Sequence, residues 1–560
     1  MKNVYEVNSS KKETPPTEVN EHLEAGKFRT ILPQILASTI KNFLLLDLGL
    51  SIAFPTIVIP ALTGLNDVNN PYEMLRLTAV QASWLGSIAY IFEPLGSLLS
   101  GLISEPLGRK KAMFLVNIPH LIAWAMLYYS SSLIEVFFAH ALLGLGVGLM
   151  EAPIITQKSI RGVLIALSGI AATLGLFIVF LLGSLTEWRN VALYCINIPI
   201  LTMVAVCFIP ETPLWLLSKN REAEALKSLQ WLRGWVSAKA VKVEFDEIKR
   251  YNEYSVSCSA CIKSQKKCPH PPPTISEKLQ ELLRRRTMKP FIILLTAFAV
   301  GQFSGSHAMR PYIVQILKSY GSPISPNWAT VLLGLTGIVG TLTCVLTVKL
   351  IGKRRLYMIA LCLVFTSGLS LGIYGFINLP MGWTSFNREP NQIDETVAPN
   401  YFPLAMFVLM GFGSAVGVTS VPWMLMSELF PFKSRGFATG LTAAINYGMQ
   451  FVATKTYYNL EIWLGLSGIT CLYALIGIAG WIIMYLLMPE TEDRTLEDIE
   501  VHFSDNQRKI TDRRIQKNVS VKSFNIPPGL VADIENGTNA KNIVKSDKGH
   551  VNKAFTSDNA

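Results

Sequence analysis

About twelve stretches of this chain, each roughly 20 residues long and almost free of charge, decide most of what it can fold into. They run over roughly 42–62, 82–102, 112–130, 134–156, 162–184, 191–209, 289–311, 327–348, 356–378, 402–427, 437–457 and 464–487. Lipid offers a backbone no hydrogen-bond partner, so each stretch is expected to be a helix that satisfies its own amides. The balance of the chain agrees: 50% of its 560 residues are hydrophobic, 16% are charged, and the mean hydropathy is +0.36. A soluble protein of this size needs far more charge to cover its surface. The expected fold class is therefore an all-α membrane protein with about 12 transmembrane helices.

Cation placement sets the orientation. Residues 1–30 are polar and lack the apolar core of a secretory leader, so the N-terminus is expected inside. The inner loops then hold Arg109, Lys110, Lys111, Lys158, Arg161, Lys349, Lys353, Arg354, Arg355, Lys433 and Arg435, while the outer loops near 63–81, 185–190 and 380–401 hold only Arg76, Arg189 and Arg388. This is the positive-inside bias, and with an even number of spans it puts both termini in the cytoplasm. The net charge of +11 then reports cytoplasmic loops and calls for no nucleic-acid partner. Sequons at Asn8, Asn518 and Asn536 fall on the inner side, where no glycan is expected.

Two of the inner loops repeat. ISEPLGRKKA (103–112) and KLIGKRRLYM (349–358) each place three cations after a glycine, Gly108 or Gly352. Each joins the second and third span of its own six-span half. An internal repeat of this kind marks a transporter built from two pseudo-symmetric six-helix bundles. Glycine permits a tight turn, and the cations can bond the carbonyls at a neighbouring helix's C-terminus; topology signalling alone is the competing reading. The expected organisation is a cytoplasmic N-terminal tail (1–34), an N-terminal bundle (35–218), a cytoplasmic linker with short helices (219–288), a C-terminal bundle (289–490) and a disordered cytoplasmic tail (491–560). Within the linker, 222–235 carries a stripe of Ala225, Leu226, Leu229 and Leu232, and 276–286 reads as a second amphipathic helix.

Further motifs occupy matching places. PETPLWLLSKNR (210–221) ends the sixth span and PETEDRTLEDIE (489–500) the twelfth, GQFSG (301–305) lies in the seventh, and VPWMLMSELFPFKSRG (421–436) closes the tenth. With the two basic loops, these resemble the sugar porter family of the major facilitator superfamily over roughly residues 35–500. EAPIIT, SLQWLRG and AMRPYIVQI are similar to stretches of the insect facilitated trehalose transporters.

The resemblance implies two bundles rocking about a central sugar site, and an intracellular gate of charge pairs. Arg109, Arg161, Arg354, Glu428 and Arg435 are the gate candidates. Glu428 and Arg435 fit the family's E-x6-R, and Arg354 is expected to meet Glu428; interface stapling is the alternative. MEAPIITQKSIRG lacks about six residues that the family carries between spans four and five, where the acidic partner of Arg161 belongs. Glu105 stands at a family Asp, Lys349 at the matching position of the second loop, and His140 at a family Arg. The first half's gate thus reads as incomplete: either a variant transcript or a rebuilt gate.

Sugars are neutral and polar, so their site needs amides, hydroxyls and an aromatic platform. The resemblance implies Gln302, Trp423 and Asn446 as substrate-binding residues, with His307 at a family Asn and Gln450 one turn from Asn446 on the same face. Gly169, Gly301 and Gly340 replace family amides. Those losses either widen the pocket for another sugar or abolish transport. Arg310 is expected to snorkel to the membrane surface. Proton-linked members carry a carboxylate where this chain has Ala53; Asp47 lies nearer the inner end and reads as a snorkelling or helix-end group, so uniport is expected.

Cys258-x2-Cys261-x6-Cys268-x-His270 holds enough ligands for a structural zinc, with free reduced thiols as the alternative. No Walker loop, HExxH or GxSxG occurs, which leaves neither an ATP-driven pump nor a hydrolase supported. The functional expectation is a monomeric facilitative transporter of trehalose or a related sugar in the plasma membrane. The alternatives are a non-transporting sugar receptor and a proton-coupled symporter.

Overall fold

The computed structural model describes residues 27–64, 73–150, 161–256, 280, 282–386, 399–431, 434–504, 510–513 and 515. Every regular element among them is a helix. In chain order these are α1 (Lys27–Leu62), α2 (Ala79–Leu107), α3 (Arg109–Tyr129), α4 (Leu133–Leu149), α5 (Arg161–Leu185), α6 (Trp188–Cys195), α7 (Asn197–Cys207), α8 (Pro213–Ser218), α9 (Glu222–Leu232) and α10 (Lys242–Val256). Then follow α11 (Arg285–Phe303), a 3-10 turn (Arg310–Tyr312), α12 (Ile313–Ser319), α13 (Pro326–Ile351), α14 (Lys353–Asn378) and α15 (Tyr401–Gly413). A π-helical turn (Ser414–Val418), α16 (Ser420–Leu429), α17 (Arg435–Leu487) and α18 (Leu496–Ser504) complete the order.

Nine helical segments among the described residues are long and apolar enough to cross a membrane, and α4 is equally apolar but shorter. The chain is thus an all-α multi-pass membrane protein. Capping boxes start two of the helices. Thr78 and Gln81 exchange side-chain and backbone bonds at α2, as Ser132 and Glu135 do at α4, so four otherwise unpaired amide groups find partners. Small residues set the closest crossings, as expected where lipid supplies no hydrophobic drive between helices. A Cβ on Gly49 of α1 would lie 2.1 Å from the Ala172 carbonyl of α5, and one on Gly144 of α4 would lie 2.1 Å from that of Ala89 in α2. Helix α2 also packs along α17, and α5 along α13, so elements from either side of the linker share long contacts.

The two basic loops have one construction. Gly108 (φ +89°) and Gly352 (φ +88°) sit in the left-handed region, where a side chain is strained. Behind each lies the glutamate of a PET motif. Glu211 accepts from the backbone amides of Arg109 and Lys110, both at 3.0 Å. Glu490 accepts from those of Lys353 and Arg354, at 3.1 and 3.2 Å. Each carboxylate thereby caps a helix N-terminus, where negative charge is favoured. The second cation then reaches a last-turn carbonyl, Lys110 that of Cys207 and Arg354 that of Tyr485, each at 2.9 Å.

Several expectations need correction. The seventh span leaves the helix after Phe303, because Gly305 (φ +99°) and Pro311 interrupt it, and it resumes as α12. The apolar runs read as 437–457 and 464–487 follow each other directly within α17 as two helices that meet at a kink at Gly465, whose φ of +71° and ψ of 169° are not helical. The tail read as disordered from 491 begins with α18, because Ile499 and Phe503, one turn apart, bury against the core. Of the linker stripe, Ala225 and Leu229 are buried while Leu226 and Leu232 are half-buried. Most of the 276–286 stretch lies outside the described residues.

Candidate functional site

One cavity, of about 540 Å3, is lined by residues of α1, α5, α11, α13 and α15–α17. Such a volume suits a small organic ligand. Gln302, His307, Trp423, Asn446 and Gln450 all line it, although they come from three separate stretches of the chain.

Gln302 stands near the C-terminal end of α11, and its Nε2 donates to Asn446 Oδ1 of α17 at 2.9 Å. Both side chains are buried. That bond leaves Gln302 Oε1 buried without a hydrogen-bond partner. Such an orphaned acceptor costs about 1–3 kcal/mol, which a donor on a ligand would relieve. Gln450, one turn after Asn446, interacts with the hydroxyl of Tyr90 on α2. Trp423 packs edge-on against Phe298 (5.2 Å between ring centres) and tilted against Tyr447 (6.3 Å), so the cavity gains an aromatic wall.

His307 lies in the unwound stretch after α11. Arg310 Nη2 donates to its Nδ1 at 3.0 Å, and a guanidinium has no acceptor. Nδ1 must therefore be the accepting nitrogen, and Nε2 carries the proton to Thr419 Oγ1, 3.0 Å away. Ser414 Oγ lies 3.2 Å from the same hydroxyl and 3.1 Å from Ser306 Oγ. A chain of polar groups thus connects the unwound stretch to the π-helical turn, an element frequent at functional sites. Arg310, Thr419, Ser414 and Ser306 were all missed as site residues in the sequence. Only Arg310 had a signal, since a cation inside an apolar run is a candidate by default. It does not snorkel outward; it lines the cavity. Gly169 and Gly301, which stand in place of amides, also line it; Gly340 instead packs close to Ala415 and Phe412.

The charged candidates divide. Glu428 pairs with Lys353 Nζ (3.0 Å) and accepts from Thr491 Oγ1 (2.9 Å), and Lys353 also pairs with Glu492 (2.7 Å). Arg354 is not the partner of Glu428; its side chain turns away to the Tyr485 carbonyl and ring, and Lys353 takes that place. Arg435 donates to the Phe430 carbonyl through Nε and Nη2. Arg109 Nη1 is buried without a hydrogen-bond partner. The side chain of Arg161 and residues 151–160 lie outside the described residues, as do Cys258, Cys261, Cys268 and His270. Among the described residues no cluster of three metal-ligating side chains occurs.

Asp47 neither snorkels nor ends a helix. It is buried in the middle of α1, where it accepts from Trp124 Nε1 (3.1 Å) and faces His120 Nε2 (3.6 Å), both on α3. His140 donates to or accepts nothing across helices in this arrangement beyond its own turn, where Nδ1 lies 2.8 Å from the Val136 carbonyl, and its ring packs near Phe54.

Comparison with known proteins gives this geometry a context. The facilitated trehalose transporter Tret1 of Apis mellifera ligustica is 29% identical over 482 residues, covering 85% of this chain and 89% of that protein. Its counterpart in Bombyx mori is 28% identical over 458 residues, covering 81% and 84%. Among solved structures, the proton:xylose symporter XylE bound to 6-bromo-6-deoxy-D-glucose superposes with a TM-score of 0.64 at 18% identity, over 84% of this chain and 99% of that one. A family profile described as "Sugar (and other) transporter" matches residues 17–503. With nearly the whole helical body inside that match, the chain belongs to the family of sugar and other transporters.

Proposed function

We propose that the chain is a facilitative transporter of trehalose or a related sugar, working by alternating access as a monomer in the plasma membrane. It crosses the membrane twelve times in two six-helix bundles, with both termini cytoplasmic. The count takes α17 as two crossings, α6 with α7 as one, and adds α4 and the broken α11–α12 rod. The observation that carries this reading is the convergence of Gln302, Trp423 and Asn446 on one cavity bordered by elements from both sides of the linker. Amide groups and an aromatic wall lining the same cavity match the hydroxyls and the C–H face of a sugar. Rocking of the halves would open that cavity to one side or the other.

A second reading, proton-coupled symport, is favoured by the buried Asp47–His120 pair, which could carry a proton inside the membrane. One experiment addresses both. Uptake of radiolabelled trehalose and glucose is measured in proteoliposomes, with and without a pH gradient. Saturable uptake that ignores the gradient, and falls at least about tenfold in Asn446→Ala, is the expected outcome. Gradient-driven accumulation abolished by Asp47→Asn would replace uniport with symport, and binding without flux would make the protein a receptor.

A further inference from the structure

We propose that the cavity accepts sugars bearing a carboxylate, gripped by Arg310; the inference rests on the transport reading above. The cavity lining includes the cations Arg310 and Lys41 but no Asp or Glu. Among the described residues Arg310 forms no ion pair, and its guanidinium hydrogen bond is the one to His307. A guanidinium has five N–H donors in one plane, so most remain for a ligand. A cation inside a protein cavity without a counter-ion is costly, and a carboxylate answers it with two parallel hydrogen bonds.

The group is also held in place. Thr56 Oγ1 of α1 donates to the Arg310 carbonyl at 3.2 Å, and Pro311 restricts the backbone of Arg310, the residue before it. His307, anchored on Thr419, takes one guanidinium N–H and so orients the others. Because its Nδ1 accepts from Arg310, His307 presents a neutral ring and adds no second positive charge. Among the described residues, the one cation within hydrogen-bond reach of His307 is the Arg310 guanidinium, whose planar pair of donors matches a carboxylate. The site then has polarity: the carboxylate at Arg310, the hydroxyls at Gln302 and Asn446. Neutral sugars still bind through the amide end, and the acid group adds the Arg310 contact.

The test is competition in proteoliposomes holding the full-length protein. Entry of radiolabelled trehalose and glucose is measured against unlabelled D-glucuronate and D-glucose, and entry of labelled glucuronate is measured directly. Glucuronate is expected to compete at roughly tenfold lower concentration than glucose, the worth of a charge-assisted bond. Arg310→Gln should abolish that preference, whatever happens to the overall rate, and Arg310→Lys should keep only part of it. The readout is the ratio of the two affinities, which a merely structural role would not move. If Arg310→Gln does not reach the bilayer, the preference must still fall in Arg310→Lys. Glucuronate competing no better than glucose, with trehalose or glucose flux intact, would overturn the inference and leave the transport reading standing. No flux of any of the three sugars would overturn both.

Discussion

The loops at 103–112 and 349–358 are built alike and held differently. In both, a left-handed glycine makes room for a glutamate that caps the following helix, and the second cation reaches a carbonyl at the end of a neighbouring helix. The first cation is where they part. Lys353 sits between Glu428 and Glu492. Arg109, its counterpart, leaves Nη1 buried and unbonded. Sequence explains part of the difference: two positions after the capping glutamate stands Glu492 in one half and Pro213 in the other. The comparison separates a clamp, needed to turn the chain at both loops, from a latch of ion pairs, which the described residues show only in the second half.

The clamp should dominate. Gly108→Val and Gly352→Val force a side chain into a left-handed residue and against a carboxylate, since the added Cβ would lie 2.3 Å and 2.5 Å from the Glu211 and Glu490 oxygens. Each should cost about 3 kcal/mol or more, read as lost thermal stability and membrane yield in detergent-solubilised protein. Unequal losses would mean that the two clamps are not equivalent.

The latch comes next. Lys353→Ala strands two partly buried carboxylates beside each other, and should cost about 2 kcal/mol after allowance for their exposure. Arg109→Ala should cost less than about 1 kcal/mol, because its guanidinium leaves a donor unpaired already. Equal losses in the two melting curves would erase the distinction. The smallest effect sharpens it: Pro213→Glu supplies the missing carboxylate and should stabilise by about 0.5 kcal/mol, a gain that Arg109→Ala cancels in a double-mutant cycle.

Much of the site was legible because it depends on residue type at a helical position. Asn446 and Gln450 are one turn apart, so their shared face followed from the period alone. The motif around Gln302 and Trp423 carried the rest. Arg310 and Thr419 were not legible as partners of His307, because Gly305 and a π-helical turn interrupt the two helices that bring them together. Asp47 was misplaced for a related reason. Its burial depends on His120 and Trp124 from another helix, and periodicity within α1 says nothing about either. The pairing of Glu428 with Lys353 rather than Arg354 likewise turns on contacts between helices, since the Tyr485 carbonyl and ring of α17 take the Arg354 guanidinium.

The chain by itself determined that it must be helical and lie in a membrane, since unsatisfied backbone groups cannot remain in lipid. It also determined where the two turning loops fall, since a glycine and its cations are local. Only the tertiary structure decided which buried charges meet and what lines the cavity, because those depend on distances between helices that are far apart in sequence.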